Sequence, residues 1–413
     1  MKRTILHCDL NCFFASVEML YHPEYRNIPM AVGGDRKNRH GIILAKNVPA
    51  KEKGIKTAET IVDALKKCPE LIIVDPDYAS YEYFSEKVRS LYYEYTDRIE
   101  PFGIDECWLD ITESISYFGS VEKIVNDLLR RVKEEIGLTL SIGVSFSKTF
   151  AKLGSDLAKE DCSYYIDSLD EIGNIPVGRF LFVGPSSVSI LNAYGIFTIR
   201  QLADTPAERL EKIMGKSGKT LHRYANGIDD DCVSLFGPSY DPAKSISNCI
   251  TSSRDLRDLD DVKIVLTAIS QNIASRLRES GSYYHTVHLF VRDNKLKVRT
   301  FQKRLKENSD LGKDIYNNAL ILFETHCDFR IPYRSIGAAV TGLSENKDAF
   351  QTSFFENSSY SLKERKQETA IMEIRRRFGR DSIDLLRAYE DDTLSKTVLK
   401  NTVSHTERQD RSK

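Results

Sequence analysis

Ile5-Leu6-His7-Cys8-Asp9-Leu10-Asn11-Cys12-Phe13-Phe14-Ala15-Ser16-Val17-Glu18 opens as a short apolar run and then changes period, with apolar residues at helical spacing from Cys12 to Leu20. That change predicts a strand feeding a helix, with Asp9 at the junction, where a side chain can face a cleft. A second stretch carries acids in a comparable place. Ile99-Glu100-Pro101 and Cys107-Trp108-Leu109-Asp110-Ile111 read as the arms of a hairpin whose turn holds Gly103-Ile104-Asp105-Glu106. Neighbours in a strand diverge to opposite faces, but a turn lets both carboxylates reach one cleft.

Working outward, residues 21–77 are mixed, with a turn at Gly33-Gly34-Asp35 and a strand at Gly41–Ala45. Tyr78–Thr96 predicts a tyrosine-rich helix and Val121–Ile136 an amphipathic one. Thr139–Val144 predicts a strand, followed by a lysine-bearing helix over Ser147–Lys159. Together these make a compact α+β unit that keeps both acidic stretches near its sheet. Residues 168–237 change to short helices punctuated by glycines, and Pro238, Asp241 and Pro242 mark a linker. Beyond it the order is strand (245–251), helix (261–279), strand (285–292), strand (297–304), helix (312–326), strand (336–341), the β-α-β-β-α-β order of ferredoxin-like modules. After Leu343 the chain is polar, with one helical stretch at 364–377 and no folding signal over 401–413.

The totals bound the function. A chain of 413 residues is expected to hold about two to four domains. With 41% hydrophobic and 29% charged residues it has a globular composition, and no apolar run reaches the roughly 18–20 residues of a membrane helix. The first residues lack the features of a secretion signal, which predicts a cytoplasmic protein with no membrane partner; it is expected to be a monomer. The eight cysteines form no C-x-x-C pair and are expected to be reduced and mostly buried. His285 and His288 lie in a strand-like run where their separation points them to opposite faces, so zinc is not expected. A net charge of −1 argues against coating nucleic acid non-specifically, but the charge is uneven: Lys263–Lys306 holds ten basic residues and only Glu279 and Asp293 as acids.

Asp9, Asp105 and Glu106 are the centre of the chemistry. Transfer of a phosphoryl or nucleotidyl group builds charge on attacking and leaving oxygens, and two hard cations about 3.5–4 Å apart stabilise both. Magnesium takes few carboxylate ligands and leaves room for phosphate oxygens and water. An Asp-Glu pair taken alone is weak, since a surface turn is its usual home.

The surrounding motifs decide. The opening stretch resembles the first motif of the Y family of translesion DNA polymerases, its bacterial members above all. Gly103–Thr112 resembles the second acidic motif, and Ser141-Ile142-Gly143-Val144-Ser145 with Lys148, Lys152, Ser155-Asp156 and Lys159 resembles the third. The resemblance spans residues 3–345 and implies a right-hand polymerase with palm (1–21 and 78–167), fingers (22–77), a helical thumb (168–237) carrying a helix-hairpin-helix, a ferredoxin-like little finger (238–348) and a tail (349–413). Residue by residue it implies that Asp9, Asp105 and Glu106, with the backbone carbonyl of Leu10, hold two Mg2+ ions. It makes Phe14 a steric gate against ribonucleotides beside Phe13, and Lys51 and Lys159 contacts to the triphosphate of the dNTP. Gly184 in Val183-Gly184-Pro185 would offer its backbone to a DNA phosphate. Lys295, Lys297 and Arg299 alternate as strand residues do, which predicts three cations on one sheet face toward primer–template DNA. Gln351-Thr352-Ser353-Phe354-Phe355 resembles the sliding-clamp-binding peptide of bacterial polymerases, with Gln351, Ser353, Phe354 and Phe355 in contact.

The sequence departs from the family pattern at several places. Lysine stands at 51 for arginine, Val48 for tyrosine, Ala45 for threonine, Gly103 for serine, Glu160 for proline, and Pro185 for the second hairpin glycine. Val48 and Lys51 keep open a DNA-binding scaffold with poor turnover, and a non-templated two-metal enzyme such as a cyclase is the third reading.

Overall fold

The computed structural model describes residues 3–34, 41–229, 232–237, 243–345, 358–379 and five isolated residues from Ser382 to Leu394. They form two compact units, one drawn from Met1–Gly34 and Ile42–Pro238 and the other from Ser239 onward.

The first unit runs β1 (Ile5–Leu10), α1 (Phe13–Tyr21), β2 (Met30–Gly33), β3 (Ile43–Lys46), α2 (Val48–Glu52), α3 (Ile61–Lys67), β4 (Ile72–Val74), α4 (Tyr78–Tyr93), β5 (Ile99–Pro101), β6 (Glu106–Asp110), α5 (Ile115–Phe118), α6 (Val121–Arg131), β7 (Leu140–Ser145), α7 (Lys148–Leu157), β8 (Ser163–Ile166) and α8 (Leu169–Ile172). Its main sheet has the order β5-β6-β1-β7-β8. β1 is central because its run is apolar on both sides, with Ile5, Leu6, Cys8 and Leu10 all buried. A smaller sheet, β3-β2-β4, lies in the region predicted only as mixed. Four further helices, α9 (Pro185–Ala193), α10 (Ile199–Asp204), α11 (Ala207–Met214) and α12 (Lys216–Ala225), share a core of their own with Phe150 and Leu153 from α7.

α7 is pressed onto β7 at a glycine. A Cβ on Gly143 would lie 1.9 Å from the Ala151 carbonyl oxygen and 2.3 Å from the Ser155 amide, so no larger residue fits. That close approach carries Lys152, Ser155 and Asp156 over the sheet.

The second unit runs β9 (Ser245–Leu256), α13 (Leu259–Glu279), β10 (Tyr284–Asp293), β11 (Val298–Ser309), α14 (Gly312–His326), β12 (Tyr333–Thr341) and α15 (Ser358–Phe378). The sheet order is β11-β10-β12-β9, so each strand-helix-strand crossover skips one strand, the split β-α-β arrangement. Val287, Leu289 and Val291 of β10 enter the core with Ile269 and Ile273 of α13 and Phe323 of α14, which puts both helices on one sheet face. α15 is tied to this unit by Glu368, which accepts from Arg278 at 2.5 Å and from the Gly312 amide, and by Arg365, which donates to Asp310 at 2.6 Å.

Two expectations are corrected. Lys295 and Lys297 are not strand residues: both amides donate to Asp293 Oδ1 at 2.9 Å, and this side-chain-capped turn delays β11 to Val298. Arg299 pairs with Val291 and therefore faces the helices, where it donates to the Tyr333 hydroxyl at 2.8 Å. The opposite face, free of helices among the described residues, receives Arg292 and Arg304, opposite Val298 and Thr286. The cysteines are also less buried than expected. Cys8, Cys68 and Cys107 are buried, Cys12 and Cys327 half-buried, and Cys162, Cys232 and Cys249 exposed. The predicted linker prolines and Gln351, Ser353, Phe354 and Phe355 lie outside the described residues.

Candidate active site

The two acidic stretches meet. Asp9, near the end of β1, pairs across the antiparallel ladder with Glu106, the first residue of β6. One step further the Leu10 amide donates to the Asp105 carbonyl at 3.1 Å, so Asp105 stands where the hairpin turn joins β6. Leu10 sends its side chain into the core.

The turn is clasped from α4. Ser85 donates its hydroxyl to the Ile104 carbonyl, and Arg89 Nη2 donates to the Gly103 carbonyl at 2.5 Å. Gly103 has φ of +153°, open to glycine and rarely adopted by other residues. A serine here would strain the turn.

Charge is concentrated at this junction. Burial pushes the Asp9 carboxyl up to about 6; the charges of Glu106 and Asp105 add to that and Lys152 opposes it. Asp105 is raised for the same reasons, burial first and the charge of Glu106 next. Burial works on Glu106 too, but His7 beside it and the charge of Lys152 outweigh it and hold this carboxyl below its usual range. Lys152 Nζ lies 3.1 Å from Asp9 Oδ2 and 3.0 Å from Glu106 Oε2. Hard anionic oxygens crowded in a half-buried place are the donor set of a divalent cation. Asp9 and Glu106, with His7, each offer a ligand atom within 4.8 Å of one another, while Asp105 stands outside that group.

His7 was missed by the sequence reading. It is fully buried, with Nε2 3.3 Å from Glu106 Oε2 and Nδ1 2.7 Å from Ser155 Oγ, and burial lowers its pKa. The signal was present: a polar residue in an apolar strand, two positions before Asp9, shares its face.

The nucleotide side is built on α1. Cys12 adopts a left-handed conformation (φ 49°) at the start of the helix. Phe13 then turns into the core, while half-buried Phe14 stacks on Tyr81 with ring centroids 4.2 Å apart and planes 10° off parallel. Tyr81 is fixed in turn, donating its hydroxyl to Glu18 at 2.5 Å. Tyr81 and Tyr78, edge-on to Phe14 at 6.0 Å, belong to the tyrosine-rich helix and had no predicted role. Lys51 is exposed on α2, and the Cys12 thiol, raised chiefly by burial, also senses the charges of Glu160, Lys51 and Lys46. Lys46 is a further cation that the sequence reading did not single out. Lys159 is exposed just past α7, and its carbonyl accepts from Ser141 Oγ at 3.2 Å. Asn11 ties this loop to the end of β1, donating to Ser141 Oγ at 2.8 Å and accepting from the Asp161 amide at 3.2 Å.

Apart from this centre, Gly184 caps the N-terminus of α9 with Pro185 in its first turn, exposed and with open space where a Cβ would stand. Among the described residues no helix is long and apolar enough to cross a membrane.

Comparison with known proteins bears on these residues. Residues 8–156 match the model of the impB/mucB/samB family, and residues 243–354 match that of the impB/mucB/samB family C-terminal domain. A DNA polymerase IV of Acetivibrio thermocellus is 41% identical over 386 residues, covering 93% of this chain and 96% of that protein. A DNA polymerase IV of Clostridium acetobutylicum is 33% identical over 388 residues, covering 92% and 96%. Among solved structures, a Y-family DNA polymerase chimera superposes with a TM-score of 0.72 at 22% identity, covering 83% of this chain and all of the chimera, which is a likeness of fold.

Proposed function

The chain belongs to the impB/mucB/samB family of Y-family DNA polymerases, and on that premise we propose that it extends a DNA primer on damaged or distorted template by adding dNTPs. The observation that carries the reading is the pairing of Asp9 with Glu106 beside Asp105, which collects three acids at one strand end. These carboxylates, with the Leu10 carbonyl, would hold two Mg2+ ions. Such ions, when bound, stabilise charge on the attacking and leaving oxygens of an in-line displacement.

The chain's own residues supply the rest. Glu106, beside His7 and Lys152, is held below the usual carboxylate range and so is ionised. Phe14, backed by Tyr81, presents a rigid ring under the sugar, where a 2′-hydroxyl would collide. Lys51 and Lys159, joined by Lys46, offer cations to the triphosphate; lysine contributes charge without the two-pronged geometry of arginine. In domain terms, the five-stranded sheet with α4, α6 and α7 is the palm, the β3-β2-β4 sheet with its helices the fingers, α9–α12 the thumb and the second unit the little finger. Gly184 turns the start of α9 toward a backbone phosphate. The sheet face of the second unit opposite α13 and α14, with Arg292 and Arg304, and the turn lysines Lys295 and Lys297 lie along the duplex. Gln351–Phe355 is proposed as the clamp-binding peptide.

Primer–template incubated with each dNTP and Mg2+ is the test. The wild-type chain is expected to extend the primer and Asp105→Ala to leave it unextended. Wild-type protein that binds primer–template without extending it would establish the scaffold reading instead.

A further inference from the structure

The acidic centre contains a cation of its own. Lys152 Nζ is 3.1 Å from Asp9 Oδ2, 3.0 Å from Glu106 Oε2 and 3.1 Å from Asp156 Oδ1. One ammonium thus serves three carboxylates, two of which are proposed metal ligands and one of which is not. Lys152 and Asp156 are four residues apart on α7 and share a helix face. The lysine side chain is 11% exposed and that of Asp156 37%, so the third partner lies toward solvent. Because α7 is locked onto β7 at Gly143, the ammonium moves by its own flexible stem rather than by a shift of the helix.

Resting on the assignment of Asp9 and Glu106 as metal ligands, we infer that Lys152 is a built-in counter-ion that competes with divalent cations for those two carboxylates and withdraws onto Asp156 when they bind. The electrostatics require one or the other. A divalent ion on the same oxygens meets a unit positive charge a few ångströms away, and in a half-buried place that repulsion is only weakly screened. Without any cation among them, three neighbouring carboxylates repel one another. The lysine removes the second difficulty and, by yielding to Asp156, lessens the first. Its consequence is a site that holds its ions loosely. A lysine that merely glued α7 to the sheet would leave metal affinity unchanged or, on removal, let the ligands drift and weaken it.

Mn2+ binding to the full-length protein, measured by calorimetry without DNA or nucleotide, separates these cases. Lys152→Met is expected to bind Mn2+ about tenfold more tightly than wild type. Its melting temperature should fall below that of wild type without Mn2+ and recover at saturating Mn2+. Unchanged or weaker binding by a folded Lys152→Met protein overturns the inference. If that variant does not fold, the wild-type chain decides: the Lys152 side-chain 15N resonance, identified by its loss in Lys152→Arg, is expected to shift on titration with Mg2+, and a stationary resonance overturns the exchange. Wild-type protein that binds no Mn2+ at all would instead remove the metal-ligand assignment itself.

Discussion

At the scale of single residues, Phe13 and Phe14 show how much and how little the sequence discloses. Both are aromatic and adjacent, and helical periodicity alone places both in a core. The left-handed turn at Cys12 sets the phase of α1, so that Phe13 is buried and Phe14 is left on the stacked ring of Tyr81. The resemblance named Phe14, but not Tyr81, because a contact between residues 67 positions apart has no local signal. His7 is the opposite case, since strand alternation alone put it on the face of Asp9. If the Phe14 ring is what a ribose hydroxyl strikes, Phe14→Ala removes the collision while leaving the acids in place. The ratio of kcat/KM for a dNTP over the matching ribonucleotide is expected to fall by a factor of about a hundred to a thousand, the equivalent of roughly 3–4 kcal/mol. A ratio unchanged from wild type would assign the gate elsewhere. Because Tyr81 supports the ring, Phe14→Tyr is a poor control; the aliphatic truncation is the informative one.

At the scale of elements, long periodic helices and apolar strands were legible, and the elements held in place by distant partners were not. The strand β1 and helices α4, α6 and α7 lie where their periodicity predicts, as does the hairpin β5–β6, except that Glu106, expected in the turn, opens β6. β2 and β4, of four and three residues, pair in parallel across some forty residues of chain, too short and too separated for a periodic signal. The β10–β11 turn was misplaced because alternating basic residues imitate a strand, whereas the Asp293 side chain had already closed the turn.

α7 gives an element-scale prediction. Its N-terminus is capped by Ser147, which accepts from Phe150 N at 3.1 Å, and also by Asp229, which accepts from the amides of Lys148 and, at 3.4 Å, Thr149. Asp229 is some eighty residues away in sequence and is buried, so no sequence rule announces this second cap. Asp229→Ala leaves amide donors unsatisfied at the start of the helix that carries Lys152. It is expected to lower stability by about 1–2 kcal/mol, read as a shift in the denaturant midpoint, with the extension rate falling alongside. Loss of activity without loss of stability would point to a more direct role for Asp229 in the reaction.

At the scale of the molecule, the charge balance was the least informative number and its distribution the most. A net charge of −1 conceals a second unit whose basic residues divide between its helical side and the opposite sheet face. Arg278 and Arg299 are committed within the unit, to Glu368 and to Tyr333, and Arg276 to the Ser247 carbonyl. Arg292, which donates to the Leu296 carbonyl, and Arg304 stand on the opposite sheet face, the surface proposed above for the phosphates. Counting cations along the chain could not make this division, because it depends on the phase of β11, which the Asp293 turn sets. Salt dependence of primer–template binding tells the groups apart. Each phosphate neutralised contributes about 0.9 to the slope of log affinity against log salt. Arg304→Ala is therefore expected to flatten that slope by about one and weaken binding similarly on any sequence. Arg299→Ala should leave the slope alone and lower the melting temperature, because its guanidinium holds Tyr333 at the end of the core. If instead Arg299→Ala flattens the slope and Arg304→Ala does not, the DNA lies on the helical face, and the role proposed for the sheet passes to α13 and α14.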